Sequence, residues 1–523
     1  MRVRNTTLGL VLVGVLLLAV PVGAQENDSL PRYAVVYNTS QGVHVASLLS
    51  DQSWRIDTLP DGVFFGQFDV MDCVPIWSTD GHRVYVMVEP EISDPDDGGM
   101  VLILSQIAVY DITTQTFEIL ADVFDAEAIV GENNSFYTGY MIASLSPDER
   151  YVWLNSTLSG DSLLVDLQTG KTLYHQPYVV RAVAWSPDAV FVGAEGIMRY
   201  GGEYDRFVLS LPEGKRLMTV PPVEGAEVLP VYRAFWLPEI NAFVFSVYID
   251  MAAEQQALGM VDAATWTVDY FDAGHDLQAA PSREYVSYVN MAGELIVMDL
   301  KRGWQDTLEL AGSYTAWHDG DELVSVTLVG AEGAYDATLT NYDYGGVPGL
   351  KTYVIAEGIP FVDRVLVSPD IERIMLHFRG DGLALYHGFG GLITDSEIST
   401  PDGPAQLKDY DPHMMWGQHY TYFNLWPPAA AYPQSLAINN RGGVVFPPEG
   451  YQFVGESPDG RWQLLLGSHE DIGASVTIYH ELVAYSERTR ETVTLFAHPE
   501  DIVYQMAHGR LSEAFVWSPL LDD

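Results

Sequence analysis

Gly455-Glu456-Ser457-Pro458-Asp459-Gly460-Arg461-Trp462, running into Gln463-Leu464-Leu465-Leu466, reads as a strand end, a tight turn and a new apolar strand. Pro458 presets φ for the turn, Asp459 bonds its own backbone, and Gly460 takes a positive φ without a Cβ clash. The stretch recurs. Ser146-Pro147-Asp148-Glu149 precedes Tyr151-Val152-Trp153-Leu154, and Trp185-Ser186-Pro187-Asp188 precedes Val190-Phe191-Val192. Ser368-Pro369-Asp370 precedes Ile374-Met375-Leu376, and Trp77-Ser78-Thr79-Asp80-Gly81 precedes Val84-Tyr85-Val86-Met87.

Helical periodicity is scarce, and short runs rich in Val, Tyr, Phe, Leu and Thr alternate with turn residues, which predicts an all-β fold. Pro147 and Pro187 are 40 residues apart, near the blade length of WD-type propellers. Each turn is followed by strands that end in a polar hairpin. Leu163-Leu164-Val165-Asp166-Leu167 leads through Thr169-Gly170 to Lys171-Thr172-Leu173-Tyr174, and Leu258 to Asp262 leads to Trp266 to Tyr270 in the same way. Three units keep the position of the turn without its Ser-Pro-Asp core, around Pro238, Pro281 and Asp319. That makes eight units between Trp77 and Gly460. The chain finishes in Ala514-Phe515-Val516-Trp517-Ser518-Pro519, a repeat start without its later strands. Tyr33 to Tyr37, Val43 to Ala46 and Trp54 to Thr58 supply strands of the missing kind. The expectation is a single β-propeller of about eight four-stranded blades, seven or nine being the alternatives. Pairing the N- and C-terminal strands would close the ring and remove two exposed edges.

These tandem W-S-P-D-G turns resemble the WD-repeat-like units of TolB-type periplasmic proteins. Five units carry a recognisable S/T-P/T-D core, and the likeness extends over nearly all of the chain after residue 24. The resemblance implies an interaction platform and specifies no chemistry, since the architecture hosts unrelated functions. The resemblance also implies that many relatives carry a second domain, such as a C-terminal hydrolase. Here the chain ends at Asp523 inside the closing repeat, so no such domain is expected.

Residues 1–24 read as a secretory signal peptide: Arg2 and Arg4, an apolar run from Leu8 to Val20, and Val22-Gly23-Ala24 before the cut. Residues 25–523 then form the propeller domain, exported to the periplasm or beyond, with no transmembrane segment after cleavage. Cys73 is the only cysteine, so no internal disulfide forms, and a chain this long needs none. The formal charge is −45. Such a surface repels nucleic acid and anionic lipid, which require a cationic face. Its acids are scattered; solubility, cation binding and a salty habitat each account for them.

Catalytic signatures fail on inspection. Gly455-Glu456-Ser457-Pro458-Asp459 ends in Asp where a nucleophile elbow needs Gly, and its repeats make Ser457 a turn residue. His480-Glu481-Leu482-Val483-Ala484 has Ala484 in place of the second zinc ligand and lies in a strand-like run. No catalytic residue is assigned. For a metal, the loop carrying Asp94, Asp96 and Asp97 with Gly98-Gly99 offers the hard oxygens that Ca²⁺ takes. It lacks EF-hand spacing, and a solvated acidic loop is the plain account.

The period breaks once. Pro369 and Pro458 are 89 residues apart, about twice a blade. The irregular stretch near 400–450 holds Tyr410, Trp416, Tyr420, Tyr422 and Trp426, stiffened by Pro427-Pro428 and Pro433. Such aromatics form a contact surface for a partner or sugar, or else pack an insertion or a cryptic irregular blade. Trp77, Trp185, Trp317 and Trp517 recur with the repeat and are expected to pack between blades. The functional expectation is a secreted non-catalytic scaffold that binds a protein, peptide or glycan of the cell envelope. The alternatives are a propeller enzyme acting on extracellular polysaccharide and a calcium-stabilised surface module.

Overall fold

The computed structural model describes mainly residues 76–93, 106–122, 140–197, 204–221, 231–310, 314–408, 414–424 and 435–498, with short breaks inside these ranges. It also describes strands at 34–39, 42–47, 53–55, 63–65, 101–103 and 515–517. Among the described residues the structure is almost wholly antiparallel strand, apart from short 3₁₀ turns such as Pro238–Ile240. None of its helices is long and apolar enough to cross a membrane.

The repeated turn shows why its residue types are what they are. The Ser146 N–H donates to the Tyr151 carbonyl at 2.8 Å, and the Glu149 N–H donates to the Ser146 carbonyl at 2.9 Å. The Ser146 hydroxyl donates to Asp148 Oδ1 at 2.6 Å and accepts from the Tyr151 N–H at 2.8 Å. The same hydroxyl bridge is built at Ser78 with Asp80 and Arg83, at Ser186 with Asp188 and Phe191, and at Ser368 with Asp370 and Arg373. Ser457 likewise accepts from the Trp462 N–H at 3.0 Å. All five serines are buried, so each hydroxyl meets a polar demand that water cannot reach. The fourth turn residue is left-handed throughout: Gly81 and Gly460, but also Glu149, Ala189, Asn241, Arg283 and Ile371. A left-handed residue after a type I turn lets the two strands re-pair, so the geometry persists where glycine is gone.

Each turn joins the first two strands of a four-stranded meander. One blade runs Tyr140–Leu145, Tyr151–Ser156, Ser162–Asp166 and Lys171–Gln176. The described strands contain ten such arrays rather than eight: seven separate sheets, one inside a six-stranded sheet, and two inside a seven-stranded sheet. The terminal array and the array at 415–445 account for the difference. The latter occupies the supposed insertion. Met415–Trp416, Tyr420–Asn424, Ser435–Asn439 and Val444–Val445 pair in order as a complete blade. Its first turn is tightened to Gly417-Gln418-His419, with Gly417 N–H donating to the Tyr420 carbonyl at 2.9 Å. With no Ser-Pro-Asp core, the marker of the period is absent although the blade is present. A separate hairpin, Glu397–Thr400 with Gly403–Gln406, lies before it.

Below, the blades are numbered 1 to 9 from 76–122 to 451–498, and the terminal array is blade 10. Blades 4 and 5 share a strand. Thr267–Ala279 pairs through Thr267 to Gly274 with Gln255–Asp262, and through Gly274 to Ala279 with Tyr285–Asn290. Gly274 stands at the handover, where an added Cβ would lie 2.1 Å from the Val289 carbonyl oxygen. In blade 10, Phe515–Trp517 pairs with Ala34–Thr39 in the expected way, with Val36 opposite Val516. The Gly42–Ser47 strand of that array lies against both Thr492–His498 and Val63–Phe65.

The core consists of seams between blades. Tyr85, Ile107 and Val109 of blade 1 pack with Ile142, Val152, Leu154 and Val165 of blade 2. Val324, Leu339 and Ile355 of blade 6 pack with Val365, Ile374 and Leu376 of blade 7. The tryptophans before the turns stitch these seams. Trp185 Nε1 donates to Ser144 Oγ of the preceding blade at 2.7 Å, and Trp317 Nε1 donates to Ser287 Oγ at 2.9 Å.

Candidate interaction surface

Three of the five aromatics singled out in the sequence come together at the seam of blades 7, 8 and 9. Tyr422 is fully buried, with its ring 5.1 Å from Phe453 and 6.0 Å from Tyr420. Trp416 is half-buried, with the Arg373 guanidinium 5.6 Å from its ring centre. These side chains mortar a blade into its neighbours, and Tyr422 has no exposed area to offer a partner. Tyr410 and Trp426 lie outside the described residues, as do Asp94, Asp96 and Asp97 of the calcium loop and Cys73.

The seam is electrostatically unusual. Arg373, on the second strand of blade 7, is fully buried, and its Nη2 donates to Asp370 Oδ2 at 3.3 Å and to the Gly417 carbonyl. Glu456 of blade 9 reaches the same turn, and its Oε2 accepts the Tyr422 hydroxyl at 2.9 Å. Its other oxygen is buried without a hydrogen bond. Burial pushes the Glu456 carboxyl up to about 7, against the pull of the Tyr422 hydroxyl, the His419 and Gln418 N–H groups and the Arg373 charge. Burial, and then the facing Glu456 charge, hold the Tyr422 phenol well above its usual range. The cluster is a three-blade joint that stores a titratable proton.

Elsewhere, other polar groups that look chemical serve the scaffold. A cleft of about 510 Å³ between blades 1 and 2 is lined by Arg83, Tyr85, Glu149 and Arg150 among others. Glu149 accepts from Arg83 Nη2 at 2.7 Å, Tyr85 Oη at 2.9 Å and the Thr79 N–H at 2.9 Å, clamping one turn onto the next. Arg150 Nη2 is paired with Asp166 at 2.9 Å. Glu481 lies in the strand Val476–Tyr485, as its pattern predicts, and accepts the Tyr451 hydroxyl at 2.7 Å.

The outer edge of blades 6 and 7 differs from these places. Gly349–Ile359, the outermost strand of blade 6, is 11 residues long. Leu350 and Val354, on one face of it, are each more than half exposed, as are Phe389 and Leu392 on the neighbouring hairpin of blade 7. Tyr353 bridges the two, with its ring 5.2 Å from Phe389 in an edge-on contact. Charge at an edge is a common protection against further pairing, and exposed Lys351 and Glu357 supply it on this strand too. Exposed Lys171, Lys215, Glu118 and Asp306 do this for blades 2, 3, 1 and 5. The uncharged residues Leu350, Thr352 and Val354 leave one face of this edge bare. Alternation in Gly349-Leu350-Lys351-Thr352-Tyr353-Val354 marks a strand, but only the sheet order shows that the strand is an edge.

This topology defines a β-propeller protein. No family model and no curated protein matches the chain. Among solved structures it is similar to dihydro-heme d1 dehydrogenase NirN in complex with DHE, at 16% identity over 85% of this chain and 77% of that one, with a TM-score of 0.36. It is also similar to the C-terminal WD40 domain of Sif2, at 12% identity over 72% and 96% of the two chains, with a TM-score of 0.34. The Cps50 (Swd1) β-propeller domain of Myceliophteria thermophila matches at 12% identity over 48% and 84%, with a TM-score of 0.29. These are likenesses of fold.

Proposed function

We propose that this chain is an exported, non-catalytic propeller scaffold of the TolB-like kind, which binds a protein in the cell envelope or outside the cell. The observation that carries the reading is the bare outer edge of blades 6 and 7, where Leu350, Val354, Phe389 and Leu392 stay in water. Exposed apolar groups gathered at one place mark interaction sites on otherwise polar proteins. The repeat serines, by contrast, are consumed in turn geometry. Export follows from the signal peptide read in residues 1–24. In this reading blade 10 closes a ring of ten, since its strands neighbour both blade 9 and the first sheet.

The test is capture from an envelope extract by the native chain and by a Phe389→Asp, Leu392→Asp variant, beside a glycan array with a turnover assay. Loss of a specific protein by the variant, with an unchanged melting profile, is the expected result. Sugar binding with turnover would replace the scaffold reading with an enzymatic one.

A further inference from the structure

We propose that His480, His498 and His44 form a binding site for a divalent transition metal of the Zn²⁺ class, in the seam between blade 9 and blade 10. The site lies apart from the edge of blades 6 and 7, and it does not depend on what that edge binds. Two observations carry it.

The first is a register. His480 stands directly opposite His498 in the antiparallel pair of Val476–Tyr485 with Thr492–His498. Directly opposed residues share a face of the sheet and hold their Cβ atoms about 4.5–5.5 Å apart. That spacing lets two imidazoles share one ion at metal–nitrogen distances of about 2.0–2.1 Å. His480-Glu481-Leu482-Val483-Ala484 lacks the second ligand that a helix would place four residues on. A strand finds its second ligand across the ladder instead. The neighbours fix the face. Leu465 and Val483 pack with Tyr422 and Ala437 of blade 8, so His480, at odd spacing from Val483, takes the face away from blade 8. Blade 10 is the neighbour on that side, with its Gly42–Ser47 strand against Thr492–His498.

The second is what that strand brings. In blade 3, Val192 stands opposite the pre-turn Trp185, and Phe207 stands opposite Ala194, two residues further on. Val192 and Phe207 both pack with Trp153 and Leu164 of the preceding blade. In blade 10, Val35 stands opposite Trp517, and His44 stands opposite Tyr37, two residues further on. His44 thus holds the place of Phe207, on the face that meets the preceding blade, which here is blade 9. Three imidazoles with a water in the fourth position are a complete tetrahedral set for Zn²⁺. Imidazole suits Zn, Ni and Cu, whereas carboxylate suits Ca²⁺. The consequence is mechanical. Blade 10 joins the two ends of the chain, and with Cys73 the only cysteine no disulfide fastens it. A metal shared with blade 9 binds the folded seam and adds its binding energy to folding.

The experiment is isothermal titration calorimetry of the chelator-stripped mature chain with Zn²⁺, in millimolar Ca²⁺ to occupy carboxylate sites, beside thermal melts with and without Zn²⁺. The expected result is one Zn²⁺ site per chain and a melting temperature that rises with Zn²⁺ concentration. His480→Gln, His498→Gln and His44→Gln should each weaken Zn²⁺ binding by about tenfold or more and remove the rise, since losing even an outer-shell partner costs about 10–100-fold. Each variant is read against its own metal-free melt, and the Asn variant replaces any Gln variant whose metal-free melt departs from the native one. Failure of Zn²⁺ to bind in the presence of Ca²⁺ overturns the inference, as does a site indifferent to any one of the three substitutions. Neither failure bears on capture of a protein at blades 6 and 7, which the extract experiment reads independently.

Discussion

The Tyr422 hydroxyl, on a fully buried ring, donates to Glu456 Oε2 at 2.9 Å, and that bond joins those of Asn424 and Ser435 to the Phe453 backbone in tying blade 8 to blade 9. It makes the stability of the seam depend on pH. Glu456 titrates at its ordinary 4.5 when unfolded and near 7 in the fold. Between those values the folded chain holds a proton that the unfolded chain has released. The contribution to stability is therefore present below the lower value and lost as pH rises through the upper one. Its size is on the order of 3 kcal/mol at most. A Glu456→Gln variant, which mimics the protonated group, should melt like the native chain near pH ~5 and above it near pH ~8. Differential scanning calorimetry at both values checks this; a gap of the same size at each would remove Glu456 as its source.

Gly417 sits beneath the same carboxylate. An added Cβ would lie 1.7 Å from Glu456 Oε2 and 2.6 Å from the Tyr422 ring. Gly417→Ala should therefore prise blades 8 and 9 apart, at a cost of about 1–3 kcal/mol typical of overpacking. Gly320→Ser is the control, because nothing lies within 4 Å of a Cβ there. Its penalty comes from the left-handed backbone alone, about 1–2 kcal/mol, and its melt should stay a single transition.

The turn serines make a prediction that a nucleophile would not. Ser146→Ala and Ser368→Ala remove a buried hydroxyl that donates to one group and accepts from another. Each should destabilise by about 1–3 kcal/mol, since a buried N–H loses its partner. Ser457→Ala should do the same and leave every binding property intact. Thermal melts of the three variants beside a binding assay decide it, and loss of binding by Ser457→Ala alone would return that residue to chemistry.

Removing residues 511–523 deletes Phe515–Trp517 and exposes the edge of Ala34–Thr39. The truncated chain should melt at lower temperature and aggregate, because an unpaired edge is a template for further pairing. Size-exclusion chromatography with light scattering reads both effects. A truncated chain as stable and monodisperse as the full one would show that the terminal pairing does not hold the array together.

The scaffold was legible in the chain because its determinants are local. A serine hydroxyl reaching two and five residues ahead builds the same turn wherever it occurs, and alternating apolar residues build the same meander. Blade 8 escaped because its tight turn, Gly417-Gln418-His419, carries none of the residues by which the others are counted. Tyr422 reads equally well as a surface aromatic or a core aromatic until Phe453 of the next blade is laid over it.

What the sequence alone determined, then, is the repeat, the strand pairing within each blade and the meeting of the two termini. Each depends on contacts along a few dozen residues or on a pattern shared by all units. Only the tertiary structure decided the blade count, the raised carboxyl of Glu456 and the bare edge at Leu350 and Val354. Those depend on which blade lies beside which: desolvation and exposure are sums over neighbours that arrive from distant parts of the chain, and no local pattern encodes them.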